Sequence, residues 1–497
     1  MIGAGRPVGR TVVGVGLVLS LAFGILAAGA GYWGVVVSQE LVTRPDNPAI
    51  IAARRNVVRG EIVDRTGAVL ATTAFTPDGT PYRHYSSRVV SQVVGYASTR
   101  YGTAGLERAY DAELTGITSG DPRQDLLRKF DPDPTHPASL TTSLSLALQK
   151  TAVALLGRDR GAVVMLDPRN GEVLVLASTP TYDANAIADP ATADAAFAAA
   201  RDDPAKPLLP RATQGLYVPG SVFKIVTAAA GLGSGAITPA TTFKQQPAAE
   251  KTGLLVDGFR IKDGHHPATG SKALDFVEAT EVSCNIYFAL TGLAAGGGAL
   301  TTYADRFGFD APIPFDLPTA VSQVTNGGGP LPGGFKDDVE LANAAYGQGE
   351  TLVTPLQMAL VAAAVANDGV VPKPRLVTAI TDDGGAVRAI DPSDLGRVVD
   401  PGVADTIRQG MVAAVEGQLG RQYTTGAQVP GVTVAGKSGT AQLGGTGEPH
   451  SWFIGFAPAE DPTIAIAVLV EQGGRGGERA APLAGRMLEA YFAGSGR

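Results

Sequence analysis

Residues 211–229 read RATQGLYVPGSVFKIVTAA, and within them Ser221 and Lys224 stand three apart. Pro219-Gly220 is a plausible entry turn, and Phe223, Ile225 and Val226 are apolar, so the stretch predicts a helix beginning at Ser221. Residues three apart on a helix share a face, at about 5–6 Å between Cβ atoms. The lysine amine then lies one turn from the serine hydroxyl. Free N–H groups and the dipole at a helix start favour negative charge developing on that hydroxyl. A lysine base must be neutral to accept a proton. Lowering its pKa from about 10.4 to near 7 takes roughly 3 units, or about 4 kcal/mol. Burial among apolar neighbours supplies part of this, and a second cation nearby supplies more. Taken alone the motif is weak, because a buried serine beside a snorkelling lysine gives the same letters.

Two further motifs follow in order. Ser283-Cys284-Asn285 is an S-x-N, and Lys437-Ser438-Gly439-Thr440 is a K-[ST]-G. The S-x-x-K and the S-x-N each occur once. A second K-[ST]-G, Lys251-Thr252-Gly253, falls in a loop-like stretch and is read as a chance match. The Lys437 copy lies on a strand candidate. Chemistry then suggests roles. Ser221 is the nucleophile, Lys224 the base, and Ser283 a relay between Lys224 and a leaving amine. The Asn285 amide suits a peptide carbonyl. Lys437 is the candidate second cation, and with Ser438, Gly439 and Thr440 it can hold a terminal carboxylate. The N–H groups of Ser221 and Thr440 would form an oxyanion hole. Asn285 or Ser438 alone could be a cap or turn residue; the joint order of three motifs argues otherwise.

The rest of the chain supplies a frame. RGEIVDRTGAVLATT (59–73) reads as a hairpin, and YGTAGLERAYDAELTG (101–116) as a loop entering an amphipathic helix carrying Leu106, Tyr110 and Leu114. DPDPTHPAS (131–139) reads as a linker, and LTTSLSLALQKTAVALLG (140–157) as a strand entering a helix. GAVVMLDPRNGEVLVLAST (161–179) gives two apolar strands about Asn170-Gly171, a strong hairpin signal. From Ser221 to about Ala366 the pattern is mainly helical. GVTVAGKSGTAQ and HSWFIGFAPAEDPTIAIAVLVEQ return to strands, and an apolar-faced helix ends the chain near 483–492. This order predicts an α+β domain whose sheet is built from both ends.

Residues 11–39 carry no charge, and a bilayer core needs roughly 20 residues. Arg6 and Arg10 precede the stretch and Glu40 follows it, so the expected orientation leaves the N-terminus in the cytoplasm and the chain beyond 39 outside. Ala28-Gly29-Ala30 offers a rival reading as a signal-peptide cleavage site, but the apolar stretch exceeds a signal h-region of about 7–15 residues. A net charge of −7 and the lack of a basic stripe argue against nucleic acid. The single cysteine, Cys284, excludes an intrachain disulfide and reads as a small buried apolar residue. No metal and no cofactor are expected.

Over most of its length the chain resembles the class B penicillin-binding proteins. RGEIVDRTG and GLERAYDAELTG resemble that family's N-terminal module, while VVMLDPRNGEVLVLASTPTYDAN, YGQGETLVTPLQMALVAAAVANDG and VAGKSGTAQ resemble its transpeptidase domain. The likeness is greatest to the division-associated A-type protein of actinobacteria. It implies a penicillin-binding/serine β-lactamase-like fold, an antiparallel sheet flanked by helices. The expected division is a cytoplasmic tail (1–10), a transmembrane anchor (11–38), a dimerisation-type module (39–140) and a transpeptidase domain (141–497). It also implies that Ser221 attacks the D-Ala-D-Ala bond of a peptidoglycan stem peptide and passes the acyl group to an amine of a neighbouring stem. β-Lactams would acylate the same serine. A polymerase of the shape, elongation, division and sporulation family is the implied partner. Arg59, Asp64, Arg65 and Glu107 read as a salt-bridged module without catalytic duty. A D,D-carboxypeptidase, a β-lactam sensor and a serine β-lactamase are the competing functions; for the last, Glu340-Leu341-Ala342-Asn343 is a faint deacylation motif.

Overall fold

The computed structural model describes residues 8–33, 57–77, 79–117, 136–263, 266, 272–419, 426–444 and 447–494. Helix α1 (Val8–Gly31) contains a 20-residue apolar run, Val12–Gly31, of mean hydropathy 2.3. Length and composition suit a membrane crossing. The remainder of the expected anchor beyond residue 33, and residues 131–135 of the expected linker, lie outside the described residues.

Strands β1 (Ile62–Val63) and β2 (Val69–Phe75) form the expected antiparallel hairpin, and β3 (Pro81–Tyr85) extends it. The turn closes because Asp64 Oδ1 accepts from Thr66 N–H at 2.7 Å and Ala68 N–H at 2.9 Å, with Gly67 at φ +86°. The helix expected over 101–116 is instead two short pieces, α2 (Gly105–Ala109) and α3 (Asp111–Thr115). Tyr110 breaks it at φ −118°, ψ 32°, and its hydroxyl donates to Asp316 far along the chain. Glu107 is fully buried and paired with both Arg59 (2.8 Å) and Arg83, and Arg59 also reaches Asp111 at 2.8 Å. The ion cluster is therefore real, but two expected members stand outside it. Asp64 serves the turn, and Arg65 is exposed.

Strand β4 (Ser139–Thr142) leads into α4 (Leu146–Leu156), whose first turn is tied to the hairpin by Leu146 N–H donating to Asp64 Oδ2 at 3.1 Å. Strands β5 (Gly161–Leu166) and β6 (Val173–Thr179) follow, buried at every position. Burial on both faces explains their near-continuous apolar runs. A helical region then includes α5 (Lys224–Gly233), α6 (Gln246–Thr252), the small hairpin β7 (Leu254–Val256) and β8 (Phe259–Ile261), α7 (Asn285–Ala295), α8 (Asp338–Ala345) and α9 (Pro355–Ala366). Strands β9 (Val377–Thr381) and β10 (Val387–Ala389) pair with each other, and β9 pairs with β4. The last elements are β11 (Ala435–Ala441), β12 (His450–Ala457), β13 (Ile464–Val470) and α10 (Ala480–Gly494).

Two sheets organise the molecule. The central one runs β11-β12-β13-β5-β6, wholly antiparallel. It joins strands from both ends of the domain, as the sequence order predicts. Val164, Trp452, Ile454 and Ala467 belong to the core on the α9 side, and Val163, Phe453, Ile466 and Val468 to the core under α4 and α10. The second sheet runs β10-β9-β4-β1-β2-β3, with β1 and β4 parallel. It fuses the N-terminal hairpin to the catalytic domain, and residue 140 falls inside β4.

Candidate active site

Ser221 sits in a single 3₁₀ turn, Gly220–Phe223, that runs directly into α5. Three glycines allow that turn to form. Gly220 has φ +57°, and a Cβ on it would lie 2.8 Å from Thr440 O. Its N–H donates to Gly347 O at 2.8 Å. Gly347 (φ +81°) would place a Cβ 2.0 Å from Gly220 O, and Gly439 would place one 2.9 Å from Pro219 O. The glycine of K-[ST]-G thus lets β11, an edge strand, lie against the Ser221 turn. Trp452, on the neighbouring β12, pins the approach by donating from Nε1 to Val218 O at 3.0 Å.

Lys224 is fully buried. Its Nζ donates to Ser283 O at 2.6 Å, Ser283 Oγ at 3.2 Å and Asn285 Oδ1 at 2.7 Å, and lies 5.6 Å from the Phe288 ring centroid. The first two motifs therefore converge on one ammonium. Burial brings its pKa down to about 8, against the opposing pull of Asp263 and Cys284. Ser283 holds φ +61°, a left-handed backbone rare for a non-glycine residue and common at functional sites. Asn285 opens α7, so its side chain is fixed by a helix start.

Lys437 is the second amine near Lys224. Lys437 is 1% exposed, with its Nζ on Ser438 O at 3.1 Å. Burial first, and the Lys224 cation second, hold its amine well below the usual lysine range. Lys224 has three acceptors around its Nζ and Lys437 has one.

A cleft of about 780 Å³ opens above these groups, lined by Ser221, Ser283, Asn285 and Thr440. Lys224, Lys437 and the largely buried Ser438 lie beneath its lining rather than on it. The cleft is also lined by Asn343, which the sequence placed only in the faint deacylation motif, and by residues that no motif named: Tyr346 and Gln348, with Arg260, Lys262, Asp263 and His266 beside the β7–β8 hairpin. The signal for Tyr346 and Gln348 was the quoted YGQGE; the hairpin side has no local signature. Glu340 is occupied elsewhere, one oxygen accepting from Thr325 and the other from Lys336 N–H at 2.7 Å. Lys251 is exposed at the end of α6 and does not line the cleft.

The penicillin binding protein transpeptidase domain family matches residues 161–489, and the penicillin binding protein A dimerisation domain family matches 59–133. The chain is 35% identical to peptidoglycan D,D-transpeptidase PbpA of Mycolicibacterium smegmatis, over 92% of this chain and 94% of that protein. Among solved structures it is similar to penicillin-binding protein A from M. tuberculosis as a ceftriaxone acyl-enzyme complex, with TM-score 0.76 and 32% identity over 88% of this chain and 98% of that one. It is likewise similar to the D,D-transpeptidase domain of a peptidoglycan glycosyltransferase from Eggerthella lenta, with TM-score 0.75 and 31% identity over 89% and 99% of the two chains.

Proposed function

This chain belongs to the class B penicillin-binding proteins, the peptidoglycan D,D-transpeptidases, and from that premise we propose which of its atoms carry each step. Ser221 Oγ attacks the carbonyl carbon between the two D-Ala residues of a stem peptide. Its proton passes to the neutral form of Lys224. The N–H groups of Ser221 and Thr440 receive the oxyanion. Collapse of the tetrahedral adduct breaks the C–N bond, and the proton returns from Lys224 through Ser283 Oγ to the departing D-Ala amine. Ser283 suits the relay because, of the three acceptors around Nζ, it alone carries a proton of its own. An amine of a neighbouring stem then attacks the acyl carbon and Lys224 takes its proton; collapse of this second adduct breaks the ester C–O bond, and the proton passes from Lys224 back to Ser221 Oγ. Asn285 Nδ2 and the Thr440 hydroxyl, both at the cleft, hold the peptide carbonyl and the terminal carboxylate. Lys437 contributes to the carboxylate subsite from below.

The observation that carries this reading is the triple contact of Lys224 Nζ with Ser283 and Asn285 beneath a cleft that Ser221 lines. Mass spectrometry of the penicillin-labelled chain tests it. The adduct is expected on the peptide bearing Ser221 and is lost in Ser221→Ala; labelling that persists in that variant overturns the assignment.

The relatives' β-lactam acyl-enzymes support the same serine as the antibiotic target here. Engagement of Glu340 away from the cleft favours a transpeptidase over a serine β-lactamase, which needs a water-activating group at the acyl ester. Helix α1 supports a single-pass anchor, with Arg6 and Arg10 favouring an extracytoplasmic catalytic domain. The polymerase partner remains an expectation from family likeness.

A further inference from the structure

Arg83 is 6% exposed, yet its Nη2 has no hydrogen-bond partner among the described residues. Its Nε donates to Glu107 and its Nη1 to Arg59 O at 3.3 Å. A buried donor left unmatched is destabilising, and such groups are rare in folded proteins. Beside it lies a cavity of about 100 Å³, room for one small polyatomic group. Arg59, Arg83 and Arg100 all line this cavity. Thr73, Ser98 and Thr99 add hydroxyls to the lining, and among the described residues no carboxylate joins them.

From the three guanidiniums and the unmatched Nη2 we propose a binding site for a phosphate group, held by Arg83 and Arg100 at the seam between the N-terminal module and the transpeptidase domain. The donor set decides the class of ligand. Guanidiniums donate and never accept, so their partner must be an acceptor, and a negative charge strengthens each bond. A phosphate offers three acceptor oxygens and a charge of about −1.5 to −2, so it can meet two guanidiniums and a hydroxyl at once. A carboxylate has only two oxygens to share among them.

The cations are balanced without the ligand. Glu107 pairs with Arg59 and Arg83, Asp111 with Arg59, and Asp194 with Arg100. What the cavity holds in surplus is hydrogen-bond capacity. Arg59 has Nε, Nη1 and Nη2 all engaged, so it supplies charge alone. Arg83 retains Nη2, and Arg100 meets Asp194 through Nη1 only. The Arg100 side chain is 52% exposed, so a ligand can engage it from solvent.

The cavity's place gives binding a consequence. Arg83 lies on β3, and Arg100 lies in the turn where Ala97–Ser98 pairs with Gly102–Thr103. Ala188 and Pro190 line the cavity from within the transpeptidase match. Nearby contacts already cross this seam. Tyr85 N–H donates to Asn185 Oδ1 at 2.8 Å, Asn185 Nδ2 donates to Tyr85 O at 2.9 Å, and Tyr101 stacks on Phe197 with centroids 4.1 Å apart. A phosphate between Arg83 and Arg100 reinforces the same seam, well away from the acyl-transfer groups. Val57, in the stretch of chain that leads from α1, also lines the cavity. The sources to distinguish are therefore free phosphate and the phosphate of a lipid headgroup.

The test is titration of the full chain in detergent with inorganic phosphate, with ionic strength held constant by chloride. About one site per chain is expected, with a melting temperature raised by about 2 °C at saturation. Arg100→Ala changes an exposed side chain and should weaken binding about ten-fold or more, with penicillin labelling in the absence of phosphate unchanged. Arg83→Lys keeps the charge but removes Nη2 and should weaken it likewise. Asp194→Asn frees Arg100 from its competing carboxylate and should tighten binding a few-fold, which loss of a merely structural ion pair would not do. Repeating the titration in nanodiscs of phosphatidylcholine, with and without phosphatidylglycerol, separates the sources. Competition by phosphatidylglycerol supports the site with a lipid headgroup as its occupant, and unchanged affinity supports it with free phosphate. No heat and no melting shift at about 10 mM phosphate overturns the proposal and leaves a self-contained salt-bridge cluster. Binding that is undiminished in both arginine variants overturns it too. The phosphate and nanodisc titrations use the unaltered chain, so misfolding of a variant does not blunt them.

Discussion

Lys224 Nζ donates to Asn285 Oδ1 at 2.7 Å, across 61 residues of sequence. That bond joins the S-x-x-K to the S-x-N and sets the resting state of the base. Replacing the neutral amide by a carboxylate tests it. In Asn285→Asp an anion would face the ammonium and raise its pKa, by about 1–3 units for a close opposite charge. Acylation by fluorescent penicillin at neutral pH should fall about ten-fold or more, and its pH midpoint should move upward. An unmoved midpoint would show that the amide does not govern the base.

The unaltered enzyme should itself show a base limb. Lys224 titrates at about 8, lowered by burial against the attraction of Asp263 and Cys284, with the Lys437 amine also buried nearby. Below that value the neutral amine grows about ten-fold per pH unit. The acylation rate constant should therefore climb with pH and level off above about 8, the sign expected for a base rather than an acid. A flat profile would remove Lys224 from the proton path.

Lys224→Ala keeps the nucleophile and the cleft but removes the base. Acylation should drop by about 10²–10⁴-fold, the usual worth of general-base assistance, while the variant stays folded. Stopped-flow labelling with parallel circular dichroism separates the two effects. Labelling within a few-fold of the parent enzyme would contradict the mechanism.

Gly347→Ala places a methyl 2.0 Å from Gly220 O at φ +81°. Backbone strain of this kind costs about 1–3 kcal/mol before any clash is counted. The variant should melt earlier and label more slowly, because the carbonyl that positions the Ser221 turn must retreat. Calorimetry and labelling kinetics should move together; a stable variant with unchanged kinetics would show that the contact is not needed.

Glu107→Gln tests the N-terminal module. Glu107 is wholly buried between Arg59 and Arg83, so neutralising it strands buried positive charge, at about 3–5 kcal/mol. Thermal unfolding should shift downward. A melting temperature equal to the parent's would mean that the pair is not structurally needed.

Much of this was legible in the letters. The hairpin at Asn170-Gly171, the strand-to-helix step at 139–156 and the ordered trio of motifs rest on short-range rules of turn chemistry and periodicity. Tyr110 escaped because its conformation answers to Asp316, some two hundred residues away. The ion cluster was half seen: Arg59 and Glu107 were expected partners, but Arg83 and Asp111 join only when β3 and α3 fold beside them.

The amino-acid order alone set Ser221 one turn before Lys224 at a helix entry, since a serine three residues before a lysine is a local relation. It also set the α+β alternation, because hydrophobic period is a local property. Only the tertiary structure decided that both amines are buried, that Lys437 lies under the cleft rather than on it, and that Cys284 has acids and an imidazole for neighbours. Those outcomes depend on burial and on distances between segments brought together by the sheet. Electrostatic energy follows separation in space, which chain order does not encode.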